Sequence, residues 1–435
     1  MNSGDTAWVL ASAALVLLMT PGLAFFYGGM VRAKSVLNMM MMSFGALGLV
    51  AVLWVLFGYS MSFGNDVGGG LLGDPFEWLG LRTLMSPAAH AGTVPALAFV
   101  AFQAVFAIIT VALISGAVAD RTKFGAWLVF AGLWATVVYF PVAHWVFAFD
   151  GFAAPHGGWI ANDLKVIDFA GGTAVHINAG AAGLALALVL GRRIGWRKDP
   201  MRPHNLTLVM LGAALLWFGW FGFNAGSAVT AGTAASVTWV NTMVATAAAS
   251  LAWMLVERIR DGHATSLGAA SGIVAGLVAI TPSCSSVSPI GAIGLGAIAG
   301  VVCSLAIGLK YRLGYDDSLD VVGVHLVGGL WGTLSVGLFA TASAPAGIDG
   351  LFYGGGAGQL WRQAVGAVAV LVFSFGLAWV LGKAVDKVMG FRVTEEVETE
   401  GVDQAIHAET AYDLLPAASG GYSPALRAAR KEVSA

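Results

Sequence analysis

Two histidines stand in stretches otherwise fit only to cross hydrocarbon. His176 lies in DFAGGTAVHINAG (168–180) and His325 in DVVGVHLVGGL (320–330). An imidazole exchanges a proton near neutral pH, bridges helices by hydrogen bonding, or ligates a metal. Two imidazoles with no visible third ligand fall short of a closed zinc site, so no metal and no cofactor is expected. Proton exchange or a polar helix–helix bridge remains, and ionisable groups at membrane depth mark substrate paths and relays by default. Each histidine also follows an aspartate: Asp168 eight residues before His176, Asp320 five before His325.

A second set of residues is aromatic. Phe102 and Phe106 are spaced i, i+4; Trp220, Phe223 and Ser227 are spaced i, i+3, i+7. Each set shares one helix face. Taken singly, each ring is packing bulk or lipid-facing. Their agreement in depth raises them: Ser227 and Phe102 outermost, Phe106 and Phe223 deeper, the histidines deeper still. A phenyl face holds a cation, and facing phenyls make a narrow passage.

The elements that must carry these residues follow from composition. Of 435 residues, 58% are hydrophobic and 11% charged, and mean hydropathy is +0.80. Soluble domains carry about 25% charged residues. The chain is an integral membrane protein whose solvent is the lipid bilayer. Charges punctuate the apolar gaps. One helix fits each of the gaps Asp5–Arg32, Lys34–Asp66, Arg82–Asp120, Lys123–Asp150 and Asp168–Arg192. Arg202–Glu257 holds two, turning near 225–233; Asp261–Lys310 holds two, broken at 281–289; Asp320–Asp349 and Arg362–Lys383 hold one each. Eleven spans are expected in an all-α fold. One set of alternate loops carries Arg32, Lys34, Arg121, Lys123, the Arg192–Arg202 run, Arg258, Arg260, Lys310 and Arg312; the other carries Arg82, Lys165 and Arg362. The basic side is cytoplasmic, which puts the N-terminus outside and the C-terminus inside a cytoplasmic membrane. Spans 1–5 and 6–10 form two five-helix sets of opposite starting orientation, about 7–191 and 205–342, and the last span covers about 361–389. His176 and His325 sit on the fifth span of each set, about 12 Å and 10 Å from the near end. Inverted repeats place substrate sites at such an interface. Residues 1–390 form the channel domain. The acidic tail, 391–435, reads from composition as a solvated extension.

These features describe a narrow apolar path with a phenyl constriction above paired imidazoles. It offers no ring of carbonyls to replace the water of Na⁺ or K⁺. Ammonium fits, because it binds aromatics as a cation and can give up a proton. The sequence resembles the ammonium transporter (Amt/Mep/Rh) family in TPGLAFFYGGMVRAKSVLN (20–38), DFAGGTAVHINAG (168–180), WFGFNAGSA (220–228), DVVGVHLVGGLWG (320–332) and GVDQAIHAETAYDL (401–414). The resemblance implies a homotrimer with one pore per protomer. It implies that His176 and His325 are the family's twin pore histidines and that Phe106 and Phe223 are its phenyl gate. Phe102, Phe147, Trp220 and Ser227 become its ammonium-recruitment residues, and Asp168 its structural or deprotonating aspartate. The tail becomes a regulatory element that meets PII-family signalling proteins at the cytoplasmic face. One departure stands out. The family usually has tryptophan after PVAHWV, where this chain has Phe147. Weaker recruitment is expected unless Trp145 or Trp159 supplies the ring.

Other readings are ammonium sensing through the tail, and Rh-like passage of neutral ammonia or CO₂. An enzyme is not expected, since no nucleophile with a base and no paired carboxylates lie within the spans. Nothing points to nucleic acid. His144 reads as a packed polar residue, MMMM (39–42) as apolar filler, and Cys284 and Cys303 as no disulfide framework.

Overall fold

A computed structural model describes residues 1–412. Ten of its helices are long and apolar enough to cross a bilayer. They are α1 (Ser3–Met30), α2 (Ala33–Phe63), α3 (Ala96–Val118), α4 (Phe124–Phe147), α5 (Gly172–Leu190), α6 (Leu206–Gly226), α7 (Thr233–Asp261), α9 (Pro289–Leu313), α10 (Val322–Phe339) and α11 (Gly358–Met389). Between α7 and α9 runs α8 (Ser266–Ile280), apolar but only 15 residues long. Ten spans and this shorter helix fill the charge-free gaps of the sequence. In lipid a helix satisfies its backbone internally, which is why each apolar gap folds this way.

Several helix starts are capped by short polar side chains, which satisfy otherwise orphaned N–H groups. Asn2 accepts from Gly4 and Asp5 at the head of α1, and Asn205 accepts from Leu208 at the head of α6. Thr265 and Ser288 do the same for α8 and α9. Helices α1 and α6 pack along a seam of small residues. A methyl added at Gly212 would collide with the Phe26 amide nitrogen. The longest helix, α11, braces α5 and its approach. Ser374 donates to the Asn178 carbonyl, and Gln363 bonds both backbone groups of Ile167 and the Thr333 carbonyl.

After α11 the chain turns back over one end of the bundle, hereafter the tail end. Two short helices, α12 (Glu395–Glu400) and α13 (Val402–His407), lie there. Val393 donates to the Arg121 carbonyl, and Lys123 donates its N–H to the Phe391 carbonyl. Glu398 accepts from the Ile194 amide and pairs with Arg392. Asp403 accepts from the Leu37 and Asn38 amides, at the head of α2. The tail through residue 412 is therefore packed rather than solvated, a correction to the reading from composition. Its remainder, 413–435, lies outside the described residues.

Beneath it sits a buried ionic cluster. Arg193 reaches both oxygens of Asp316 and one of Asp120, and Arg121 donates to Ser318 and to the Asp316 carbonyl. Burial alone would raise the Asp316 carboxyl, but the Arg193 bonds hold it below the usual range. The cluster joins the α3–α4, α5–α6 and α9–α10 connections. Arg193 pairs with both carboxylates, whereas Arg121 is held by carbonyls and the Ser318 hydroxyl; such bonds are the condition for burying these charges at all.

Candidate functional site

Helices α5 and α10 begin alike. Each opens with a π-helical turn, Gly172–Ile177 and Val322–Leu326, and each turn contains the helix's histidine. Such turns are uncommon and concentrate at functional sites. Each start is held by a carboxylate. Asp168 accepts from the amides of Gly171, Gly172, Thr173 and Ala174 and from the Thr173 hydroxyl. Asp317 accepts from the amides of Val321 and Val322. A negative group at a helix N-terminus satisfies orphaned donors and meets the positive end of the dipole. Asp168 thus has a visible capping role. Its counterpart is Asp317, eight residues before His325, and not Asp320. Asp320 instead pairs with Lys310 at 2.6 Å. Its backbone is left-handed, with φ 63°, so it lies outside the helix start.

The two helices cross at glycines. Gly180 and Gly329 each follow their histidine by four residues, one helical turn. A methyl on Gly180 would lie 2.6 Å from the Leu326 amide nitrogen; one on Gly329 would lie 3.0 Å from the His176 Cβ and 3.1 Å from the Ile177 nitrogen. This close approach brings the imidazoles together. Their Nδ1 atoms are 3.3 Å apart and their rings are near-parallel, at 24°. The His176 Nε2 is buried with no hydrogen-bond partner among the described residues. Other buried nitrogens also lack a partner, those of Trp134 and Trp217 among them, but this one borders a cavity.

Around the imidazoles lies a tight apolar cavity, bounded by Leu23, Phe26, Ile109, Leu113, Leu216 and Val274 among others. Its volume of about 10 Å³ is at the lower limit for one water-sized molecule. Toward the end opposite the tail it is closed by Phe106 and Phe223, stacked with centroids 4.1 Å apart and planes at 22°. Phe223 is also 6.2 Å from the His176 ring. The predicted gate pair and histidine pair are thus consecutive along one line.

Beyond the stacked phenyls is a wider chamber of about 150 Å³. Phe147 and Ser227 line it, with Gln103 and the outer face of Phe106. The Ser227 hydroxyl donates to the Phe223 carbonyl at 2.8 Å, which leaves its oxygen lone pairs free to accept. Phe147 stands edge-on to Phe106 at 6.4 Å. Two predicted recruitment residues lie elsewhere. Phe102 is fully buried beside Phe106 and against Gly226, without reaching the chamber wall. Trp220 lies on the histidine side of the stacked phenyls. Its ring stacks on His176 at 5.4 Å and 17°, and its Nε1 donates to Thr281. Helical spacing puts Trp220, Phe223 and Ser227 on one face, but that face runs past the gate. Neither Trp145 nor Trp159 replaces the missing indole of the chamber. Trp145 packs on Phe373 and Trp159 and donates to the Leu71 carbonyl.

Sequence reasoning missed the polar support of Trp220. Thr281 and Asn224 form a buried chain with Thr242 behind the ring. The break at 281–289, TPSCSSVSP, supplies Thr281. His144 was set aside correctly as buried and polar, and its ring nitrogens face the Ser62 carbonyl and the Asp66 carboxylate.

Comparison with known proteins bears on this arrangement. A sequence profile described as the Ammonium Transporter Family matches residues 7–412. The ammonium transporter of Mycobacterium bovis is 64% identical over 97% of this chain and 93% of its own length. That of Bacillus subtilis is 48% identical over 95% and 99%. Among solved structures, a "Sensor Amt Protein" superposes with TM-score 0.85 at 30% identity, covering 92% of this chain and 98% of that one. Saccharomyces cerevisiae Mep2 gives 0.82 at 33%, covering 91% and 88%.

Proposed function

The chain belongs to the ammonium transporter family, and from that premise we propose how this multi-pass membrane protein moves ammonium. The end opposite the tail faces outward. Ammonium rests in the Phe147–Ser227 chamber, with its charge on the rings and an N–H donated to the Ser227 oxygen. Passage requires the Phe106 and Phe223 rings to part. Beyond them the cavity is too narrow and apolar for a hydrated cation. The nitrogen therefore crosses this stretch as ammonia beside His176 and His325, with its proton released or relayed along the imidazoles. The observation that carries this reading is the buried, unpartnered His176 Nε2 directly behind the stacked phenyls. Trp220 and Asp168 act at one remove: the indole fixes the His176 ring plane, and the carboxylate fixes the helix turn that bears it.

The test is charge movement in proteoliposomes on an imposed ammonium gradient, with K⁺ and Na⁺ controls. An ammonium-specific current, lost or made K⁺-permeable in His176→Ala/His325→Ala, supports the relay. Internal alkalinisation without current would replace it with electroneutral ammonia passage, as in the Rh-like reading. The Ser227 acceptor and phenyl chamber favour a cation at the mouth over a neutral gas.

We also propose that the tail regulates the pore, that the chain assembles as a homotrimer in the cytoplasmic membrane, and that a PII-family protein docks at the tail end. The docked tail favours regulation, because it touches the head of α2 and the α3–α4 and α5–α6 connections at once. The same contacts would serve a sensor. A sensor is supported instead if ammonium produces neither current nor alkalinisation while changing the tail's protease sensitivity. No catalytic role is proposed.

A further inference from the structure

The chamber outside the gate is larger and less polar than ammonium needs. In the measure by which one water needs about 10–15 Å³, and ammonium is of similar size, the chamber holds about 150 Å³. Six phenylalanines line it: Phe99, Phe106, Phe147, Phe149, Phe152 and Phe169. Among the described residues no charged side chain lines it, and its polar side chains are Gln103 and Ser227. Phe149, at the mouth, is half exposed, so the chamber is reachable from solvent.

These features set a preference among cations. Ammonium leaves water with four N–H donors to satisfy, and each donor left unpaired in an apolar site costs free energy. The chamber wall offers two polar side chains. A quaternary ammonium ion has no N–H to satisfy. Its charge is spread over methyl groups that lie directly against ring faces, which is how aromatic cages hold such cations. The rest of the passage refuses it. The Phe106 and Phe223 rings close at 4.1 Å, and a quaternary nitrogen has no proton to release.

We propose that this chamber binds quaternary ammonium ions, with tetramethylammonium as the simplest, and that they block the path from outside without crossing. The proposal rests on the reading of the chamber as the ammonium-receiving site. It assigns that site a second ligand class, recognised by rings alone.

The experiment applies tetramethylammonium chloride, against sodium chloride of equal strength, to the outer side of proteoliposomes during an ammonium-driven current. The expected result is competitive block: a higher apparent KM for ammonium at unchanged maximal current. Phe149→Ala, at an exposed position, should weaken the block about fivefold by removing one ring. Ser227→Ala should raise the ammonium KM and leave the block constant for tetramethylammonium as it was, since that ion takes no hydrogen bond. An intact ammonium current insensitive to tetramethylammonium overturns the inference and leaves the transport reading standing. A current carried by tetramethylammonium itself overturns it as well. If alkalinisation appears without current, the same block is read on its rate; if ammonium produces neither, the transport reading fails. Calorimetric titration of tetramethylammonium onto the detergent-solubilised protein then decides the inference: heat of binding lost in Phe149→Ala supports it, and absence of heat overturns it.

Discussion

The Nδ1 atoms of His176 and His325 face each other at 3.3 Å. Only one of the two can carry the proton between them, so one ring donates and the other accepts. The tautomer of each ring is thereby tied to the other, and with it the state of each Nε2. A change at either ring reaches both.

It follows that the single variants His176→Ala and His325→Ala should resemble one another more than independent sites would. Each should abolish the ammonium-specific current or admit K⁺, and the double variant should add little. Currents of the three variants under ammonium and K⁺ gradients check this. Additive effects would mean the imidazoles act separately.

Phe147→Trp should tighten apparent ammonium affinity by roughly threefold, since indole offers the better cation face. The ring already stands beside Phe106 in the chamber wall, so the larger side chain enlarges a face that is in place. An unchanged KM would show that recruitment does not depend on this position.

The glycine crossing is open to a steric test. Gly329→Val should cost about 2 kcal/mol and separate the imidazoles, because its methyls meet the His176 Cβ and the α5 backbone. Gly376, on α11, has open space around a methyl, so Gly376→Ala is the matched control. Thermal unfolding in detergent, paired with the current assay, separates loss of folding from loss of conduction.

Much of this was legible in the sequence. Charges end each apolar gap, so the helices could be located, and 1.5 Å per residue gave the expected depths of His176 and His325. What spacing cannot supply is which neighbour a side chain meets. Trp220 shares a face with Ser227, yet the Phe106–Phe223 stack lies between them. Asp320 looks like the partner of Asp168 because it adjoins the apolar run. Its left-handed backbone removes it, and Asp317 takes the capping place. The tail was misjudged because its polarity is spent on backbone amides of other loops, which composition does not reveal.

Asp317 carries a pH prediction. Burial pushes its carboxyl up to about 7, against a usual value of about 3.9. A raised carboxyl favours the folded state in its protonated form, so its contribution is complete below the unfolded value and is lost as pH rises through about 7. The neutral variant Asp317→Asn should therefore gain stability relative to wild type between pH 5 and pH 8. A difference in melting temperature that stays constant over that range would contradict the assignment.

Asp403→Ala should release the head of α2 at a cost of about 1 kcal/mol, as for other lost caps. Protection of the Leu37 and Asn38 amides from hydrogen exchange should fall, while amides within α5 and α10 stay protected. Equal protection in both proteins would mean the tail merely rests on the bundle.

That same carboxylate caps a helix whose first amides were made 365 residues earlier. During synthesis the leading amides of α2 meet water rather than a carboxylate until Asp403 has been made. Every described membrane span precedes Asp403 in the chain, so this clasp closes only on a bundle whose spans are all translated.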